Sequence, residues 1–343
     1  MLSRTKLKQG TLSWEKARES RIGSSEVFDI VKYYATDEEL QYCGFNAEQF
    51  REEKPYTTVW ALYHKILNDG LYKKEALPPE FAEYGHIVEP YGISILRKGR
   101  QRKIKPGTVY ADKRLIASLD AEGIAEEVDK VPFVYGSGTP KPGQRFVCEQ
   151  KSMFPQAVKN GLPFKYIIQA QYQLLQTKAD FFILQLMVLK NDSVFNRGKA
   201  CGMGRTTRFK YFDENLTVTP YYFKNNIHLG KLIEKCLDLF FADVDTLNEP
   251  KPFLENDSSK NIIESIRLNS LYNDKQVLTF DLSGFLLARD DEEKAIKRKK
   301  EILQDIVDIA KEKNACRFIS VNGATALFAK DGSFRVKLPQ EVM

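Results

Sequence analysis

The chain has 343 residues, 43% of them hydrophobic, and a formal net charge of +6 at neutral pH. A chain of this length can bury a full core, and we expect one large domain with a smaller appendage. It contains no run of about eighteen apolar residues, and its basic N-terminus has no apolar stretch behind it. We therefore expect a soluble, cytoplasmic protein without a transmembrane helix or a secretory signal peptide.

The cysteines and histidines argue against metal-sulfur chemistry. Five cysteines are widely spaced with no Cys-x-x-Cys pair, and three histidines are equally scattered. Disulfides, structural zinc, an iron–sulfur cluster and a zinc enzyme are therefore not expected. The modest positive charge is compatible with a polyanionic partner but does not require one.

The N-terminal part of the chain predicts two helices. Ser13 is a suitable N-cap for a short helix that begins at Trp14, and a Gly-Ser-Ser break at 23–25 precedes the second helix. A serine-rich helix N-terminus offers free N–H groups to phosphate. Arg18 and Arg21 are close in the sequence, and ordinary helix capping would not account for them.

The middle of the chain predicts a loop and two helices, followed by strands of a sheet. Residues 37–58 have no clear periodicity and predict a loop or lid, whereas 59–67 and 81–96 predict helices. Glu89 lies beside the apolar stripe of the second of these helices. A carboxylate in such a position is usually solvated, and the alternative is that it points into the site that the strands build. Residues 108–126 alternate as a meander of strands does.

One predicted strand carries a glutamate and a lysine, two residue types that catalytic sites commonly use. Residues 145–151 predict a short buried strand that ends in Glu-x-Lys, with Glu149 and Lys151 on one face. The apolar run 115–120 also ends in a carboxylate, Asp120. Two such carboxylates suit a hard cation such as Mg²⁺, and the lysine could orient or help deprotonate a water that attacks phosphorus. The alternative interpretation is a pair of solvated strand ends.

The following segments predict further core elements. Residues 164–177 form a helical pattern in which Gln169 lies on a glutamine-rich stripe beside the core stripe. Residues 181–189 predict a strand in the sheet interior, with 207–212 as its partner strand. Residues 196–205 lack the spacing of a phosphate-binding loop and predict a mobile basic loop.

The sequence predicts a division into three parts. Residues 1–245 are expected to form the core, 246–280 a polar linker, and 281–343 a helix followed by a β-hairpin. The Asn-Gly pair at 322–323 favours the tight turn of such a hairpin. We interpret the C-terminal part as an appendage for interaction or for clamping DNA.

Taken in order, these pieces resemble the lambda exonuclease, or YqaJ-type viral recombinase, family of PD-(D/E)xK nucleases. The resemblance covers roughly residues 13–190, and its specificity comes from six pieces in the family's order. They are Trp14 to Arg18, Ile22 to Val27, Tyr84-Gly85-x-x-x-Glu89-Pro90, Ala117 to Asp120, Glu149-x-Lys151, and Tyr166-x-x-Gln169-x-Gln171-Tyr172. The resemblance implies a restriction-endonuclease-like α/β fold, with a mixed central sheet flanked by helices.

The resemblance also implies roles for seven residues and a Mg²⁺ cofactor, with Mn²⁺ as a substitute. Asp120 and Glu149 would be metal ligands, and Glu89 would be an added acidic ligand or water contact. Lys151 would be the catalytic lysine, and Gln169 would support the attacking water or the lysine. Arg18 and Ser25 would bind the 5′-phosphate of a DNA end. Leu119 stands where relatives often have proline, and the long stretch between Asp120 and Glu149 implies an inserted hairpin.

The implied activity is a Mg²⁺-dependent exonuclease that degrades one strand of duplex DNA from a 5′ end. The remaining single strand would serve phage-type homologous recombination, with a single-strand annealing protein as partner. The enzyme would act as a homo-oligomer in the cytoplasm of a bacterial or phage-infected cell. Two alternatives remain: a restriction- or defence-type endonuclease on the same fold, and a catalytically silent DNA-end-binding protein, against which the intact acidic and lysine positions argue. A cluster-containing nuclease is disfavoured because grouped cysteines are absent.

Overall fold

The computed structural model describes residues 2–72, 79–98, 104–126, 132–134, 137–153, 161–190, 194–252, 257, 259–268, 273–279, 292–313, 315–320, 324–328 and 334–337. The chain divides into two compact units. The first comprises Met1–Tyr56 and Lys74–Ala242, and the second Thr57–Lys73 and Asp243–Met343. Within the described part of the chain, no helix combines the length and apolarity needed to cross a bilayer.

Eleven strands and twelve helices are defined within the described ranges. The strands are β1 (Ser3–Arg4), β2 (Ile22–Gly23), β3 (Lys105–Ala111), β4 (Leu115–Ile124), β5 (Arg145–Met153), β6 (Phe181–Leu189), β7 (Leu216–Phe223), β8 (Asn273–Thr279), β9 (Ala315–Ile319), β10 (Thr325–Phe328) and β11 (Phe334–Lys337). The helices are α1 (Leu12–Glu19), α2 (Val27–Tyr34), α3 (Asp37–Tyr42), α4 (Ala47–Glu52), α5 (Val59–Leu67), α6 (Pro79–Lys98), α7 (Phe164–Thr177), α8 (Val194–Cys201), α9 (Arg205–Asn215), α10 (Ile227–Asp245), α11 (Ser259–Leu268) and α12 (Glu292–Lys313).

The first unit is built on a mixed, mostly antiparallel sheet flanked by helices. Its strands run in the order β1-β3-β4-β5-β6-β7, and β2 adds to β4 in parallel. Only β5 and β6 are parallel along the main path. Ile93 and Leu96 of α6 pack on Phe146 and Phe181, while α7 reaches the sheet from the side of Glu149. The predicted mixed sheet with flanking helices is confirmed.

The central elements follow the sequence prediction closely. Helix α7 spans 164–177 and β6 spans 181–189, as their hydrophobic patterns indicate. Both carboxylate strands are longer than predicted. β4 continues past Asp120 to Ile124, and β5 continues past Lys151 to Met153, so the acidic residues lie within strands and not at their ends.

The predictions for the N-terminal part need two corrections. Thr11, not Ser13, caps α1, because its side chain accepts the N–H of Trp14. The stretch 37–58, predicted as a loop or lid, contains the short helices α3 and α4. Polar caps begin both helices, and each buries a large apolar side chain in the core.

Two predictions beyond β6 are wrong. Residues 207–212 lie in helix α9, and the antiparallel partner of β6 is β7. Residues 196–201 of the predicted mobile loop 196–205 lie in helix α8. Arg208 of α9 stabilises the end of α8 by donating hydrogen bonds to the carbonyls of Ala200 and Cys201, at 3.0 and 3.1 Å.

The second unit contains α5, α11, α12 and a four-stranded sheet in the order β11-β10-β9-β8. The predicted β9–β10 pairing is confirmed, although the 322–323 turn lies outside the described residues. The core joins elements far apart in sequence: Trp60 of α5, Ile262 of α11, Ile306 of α12 and Phe318 of β9 belong to one buried cluster.

The division observed differs from the predicted one in two ways. The stretch 246–280 is not a simple linker, because it supplies α11 and β8 to the second unit, and α5 also belongs there. The hairpin predicted between Asp120 and Glu149 falls partly on 127–131, outside the described residues. The described segments 132–134 and 137–144 contain no strand.

Candidate active site

Neighbouring strands of the first sheet carry the two predicted metal-binding carboxylates. β4 and β5 are antiparallel, with Ala121 opposite Cys148. The backbone N–H of Gln150 donates a 2.7 Å hydrogen bond to Oδ2 of Asp120, which ties this carboxylate to the strand that carries Glu149. Both side chains are buried, at 8% and 7% exposure. Strand register therefore brings together two acids separated by 28 residues.

Glu149 is held by two donors from opposite sides. Its Oε1 accepts a 2.6 Å hydrogen bond from Nζ of Lys151, two residues along the same strand face. Its Oε2 accepts a 3.1 Å hydrogen bond from Nε2 of Gln173 on α7. The ammonium of Lys151 also lies 5.8 Å from the ring centre of Tyr166. The carboxylate thus has a defined orientation before any ligand binds.

A small cavity of about 160 Å³ lies at this point. Six of the seven sequence-predicted site residues line it: Arg18, Ser25, Asp120, Glu149, Lys151 and Gln169. Gln9, Trp14, Ser24 and Ser118 also contribute to its wall. The fold therefore gathers residues predicted from four separate parts of the sequence into one pocket.

Glu89 is near this cavity without lining it. It lies on α6, and its carboxylate repels those of Asp120 and Glu149. When the side-chain amide of Gln150 is oriented so that its nitrogen and its oxygen both have partners, it donates to the carbonyl of Glu89 at 2.8 Å and accepts from the N–H of Ile93 at 3.0 Å. Gly92 leaves room for this amide, because a Cβ at position 92 would lie 2.6 Å from the side-chain amide of Gln150. The strand that carries Glu149 thus fixes the backbone of Glu89.

The electrostatics of the cavity favour bound positive charge. Burial, with repulsion from Glu149 and Glu89, raises the pKa of Asp120 well above its ordinary value. Burial and repulsion from Glu149 likewise raise the pKa of Glu89. Burial alone would lower the pKa of Lys151, but attraction to Glu149 and Asp120 outweighs it and raises that pKa. In this arrangement Lys151 is held as an ammonium that donates to Glu149.

The donor set fits a hard divalent cation. Oδ1 of Asp120 has no hydrogen bond from any described residue, and the carboxylates of Asp120 and Glu149 repel each other. Carboxylate oxygens are the ligands that Mg²⁺ prefers, with water completing its shell. Among the described residues, no group of three His, Cys, Asp or Glu side chains is placed to hold a metal. The role of Glu89 as an added ligand or water contact therefore stays a prediction.

The N-terminal wall differs from its prediction in detail. Ser24 and Ser25 precede the helix: α2 has Glu26 as its N-cap, and Oε2 of Glu26 accepts the N–H of Gly23 at 2.7 Å. Arg18 stacks over the ring of Trp14 at 4.8 Å. The indole N–H of Trp14 in turn donates to the hydroxyl of Ser118 at 2.8 Å, which connects this wall to β4.

Three residues at the site, Gln173, Gln150 and Gln9, are not predicted from the sequence. For Gln173 a signal was present, because residues four apart share a helix face and Gln169 had already been assigned to the site. The glutamines at 169, 171, 173 and 176 are all buried, whereas glutamine-rich helix faces are commonly exposed. The roles of Gln150 and Gln9 depend on tertiary packing and left no local signal.

No protein-family model and no curated protein sequence matches the chain. The chain is similar to solved structures described as exonucleases. An alkaline exonuclease from Laribacter hongkongensis shares 12% identity and a TM-score of 0.40, over 69% of this chain and 96% of that one. A phage related exonuclease from Haemophilus somnus shares 12% identity and a TM-score of 0.41, over 68% of this chain and 97% of that one. The Laribacter enzyme has also been solved in complex with dAMP, with 14% identity and a TM-score of 0.40, over 69% and 93% of the two chains.

Proposed function

We propose that this protein is a Mg²⁺-dependent DNA exonuclease with a PD-(D/E)xK active site, acting on linear duplex ends in the 5′-to-3′ direction. The observation that carries the proposal is the convergence of Asp120, Glu149 and Lys151 on one cavity, with Arg18 and Gln169 in its wall. The similar solved structures are described as exonucleases, but the proposal rests on the site, because those similarities are weak.

Each residue contributes a definite part of the chemistry. Mg²⁺ held by Asp120 and Glu149 would neutralise charge at phosphorus and activate water at neutral pH. Gln173 and Lys151 hold the two oxygens of Glu149, so its orientation does not have to be organised during the reaction. As an ammonium, Lys151 can donate to a phosphate oxygen or to the attacking water.

The further parts of the proposal concern the DNA end and the partners. Arg18 offers a guanidinium that can hold a terminal phosphate through two parallel hydrogen bonds. Ser25, in the same wall, adds a hydroxyl. The single-stranded product would serve an annealing protein in recombination, and we propose a homo-oligomer as the working form.

Digestion of matched linear and covalently closed circular DNA tests the proposal. With Mg²⁺, the wild-type protein should shorten an end-labelled linear duplex from its 5′ ends and leave the circle intact, and EDTA should stop the reaction. Cleavage of the circle would instead identify an endonuclease. Binding of linear ends without cleavage in Mg²⁺ or Mn²⁺ would identify a silent end-binding protein.

A further inference from the structure

Three polar side-chain atoms at the wall of the candidate active site are buried without a hydrogen-bond partner among the described residues. They are Oε1 of Gln9, Oγ of Ser24 and Oε1 of Gln169. Ser24 as a whole is only 6% exposed. Burying a polar group without a partner destabilises the folded state, so such atoms are uncommon in folded proteins. The hydroxyl of Ser24 can donate to a bound anion, whereas the two amide oxygens are acceptors that a bound water can satisfy.

The size and charge of the cavity limit what this ligand is. A cavity of about 160 Å³ has room for the four oxygens of one phosphate and for water beside it. Arg18 and Lys151, together with a cation held by Asp120 and Glu149, would supply the positive charge that such an anion requires.

We propose that Ser24 and Gln9 are two further substrate-binding residues, which contact the DNA phosphate held in this cavity and the water beside it. Ser24 would donate to a phosphate oxygen through its hydroxyl, which can rotate about one bond. Gln9, before α1, presents an amide that can donate to the phosphate or accept from the water. This inference rests on the proposed nuclease function and extends it to two side chains outside the residues assigned from the sequence.

Two variants with matched controls test the inference. Ser24→Ala and Gln9→Leu are compared with Ser152→Ala and Gln176→Leu. Ser152 and Gln176 also have a buried polar atom without a partner among the described residues, but neither lines this cavity. The probe is a short 5′-phosphorylated duplex with Ca²⁺ in place of Mg²⁺, followed by fluorescence anisotropy. We expect about tenfold weaker binding for each test variant and less than a twofold change for each control.

Two further measurements separate binding from structure. With Mg²⁺, each test variant should raise KM while leaving kcat nearly unchanged, as expected for a lost binding contact. Ser24→Ala should melt no lower than the wild type, because it removes a buried hydroxyl that has no hydrogen-bond partner among the described residues. A lower melting temperature with unchanged binding would make Ser24 structural and overturn the inference. Wild-type protein that neither binds nor cleaves the duplex would instead contradict the proposed function.

Discussion

At the residue scale, the contact between Gln173 and Glu149 is the clearest case of one side chain that acts through another. Gln173 is fully buried and donates to the carboxylate oxygen that Lys151 does not hold. We predict that Gln173→Leu weakens Mn²⁺ binding by about tenfold or more, because partners of metal ligands commonly contribute 10–100-fold to affinity. Titration calorimetry measures this, and Gln176→Leu is the control on the same helix. Equal affinities for the two variants would remove Gln173 from the site.

Arg18 provides a second prediction at this scale. Its guanidinium is stacked on Trp14 at the cavity wall, where a terminal phosphate can reach it. We predict that Arg18→Ala slows digestion of 5′-phosphorylated ends on the order of ten to a hundredfold more than that of 5′-hydroxyl ends. Arg18→Lys should restore only part of the difference, since lysine lacks the planar fork. Equal losses on both ends would make Arg18 a general backbone contact.

At the scale of elements, one carboxylate connects three helices of the second unit. Oε1 of Glu249 accepts hydrogen bonds from Trp60 and from His64 at 3.1 Å, both on α5, and from Ser265 of α11 and Lys311 of α12, both at 2.7 Å. Burial alone would raise the pKa of Glu249, but the hydrogen bond from His64 and the charge of Lys311 hold it well below its ordinary value.

This lowered pKa predicts how the second unit responds to acid. A carboxyl whose pKa is lower in the folded state stabilises that state above its unfolded pKa of about 4.3, and the contribution is lost as pH falls through the folded value. Thermal melts at decreasing pH should therefore show a loss of stability below about pH 4 that Glu249→Gln diminishes. The variant should also be less stable at neutral pH. The same pH slope in both proteins would contradict the assignment.

The elements also show where sequence reasoning succeeds and why it fails. β5 and α7 were predictable because their own hydrophobic patterns fix their type, and register then brings Asp120 and Glu149 together. Residues 207–212 were mistaken for a strand because aromatic and β-branched residues favour strands. Two tertiary features favour a helix here over a strand. Arg208 caps the end of α8, and Phe212 is the one side chain of α9 that is buried. Membership of α5 in the second unit is likewise invisible in chain order.

At the scale of the whole molecule, the second unit cannot be removed by a single C-terminal cut. Its core includes Trp60 of α5, which packs in one cluster with Ile262, Ile306 and Phe318. Deleting residues 280–343 would leave Trp60 and Ile262 without part of that cluster, at about 1.5–3 kcal/mol for each large side chain exposed. We predict that the truncated chain aggregates, as judged by size-exclusion chromatography. A monodisperse truncated protein that keeps its helical circular dichroism would contradict this organisation.

The central claim is that Asp120 and Glu149 together hold the cation that drives phosphodiester cleavage. The most direct test is the single-turnover rate on an end-labelled linear duplex for the wild type and for Asp120→Asn. We predict rapid Mg²⁺-dependent cleavage by the wild type and a loss on the order of 10²-fold or more in the variant. The variant should melt no lower than the metal-free wild type, because the raised pKa of Asp120 means that its charged form destabilises the fold at neutral pH. Cleavage by Asp120→Asn at close to the wild-type rate would contradict the claim.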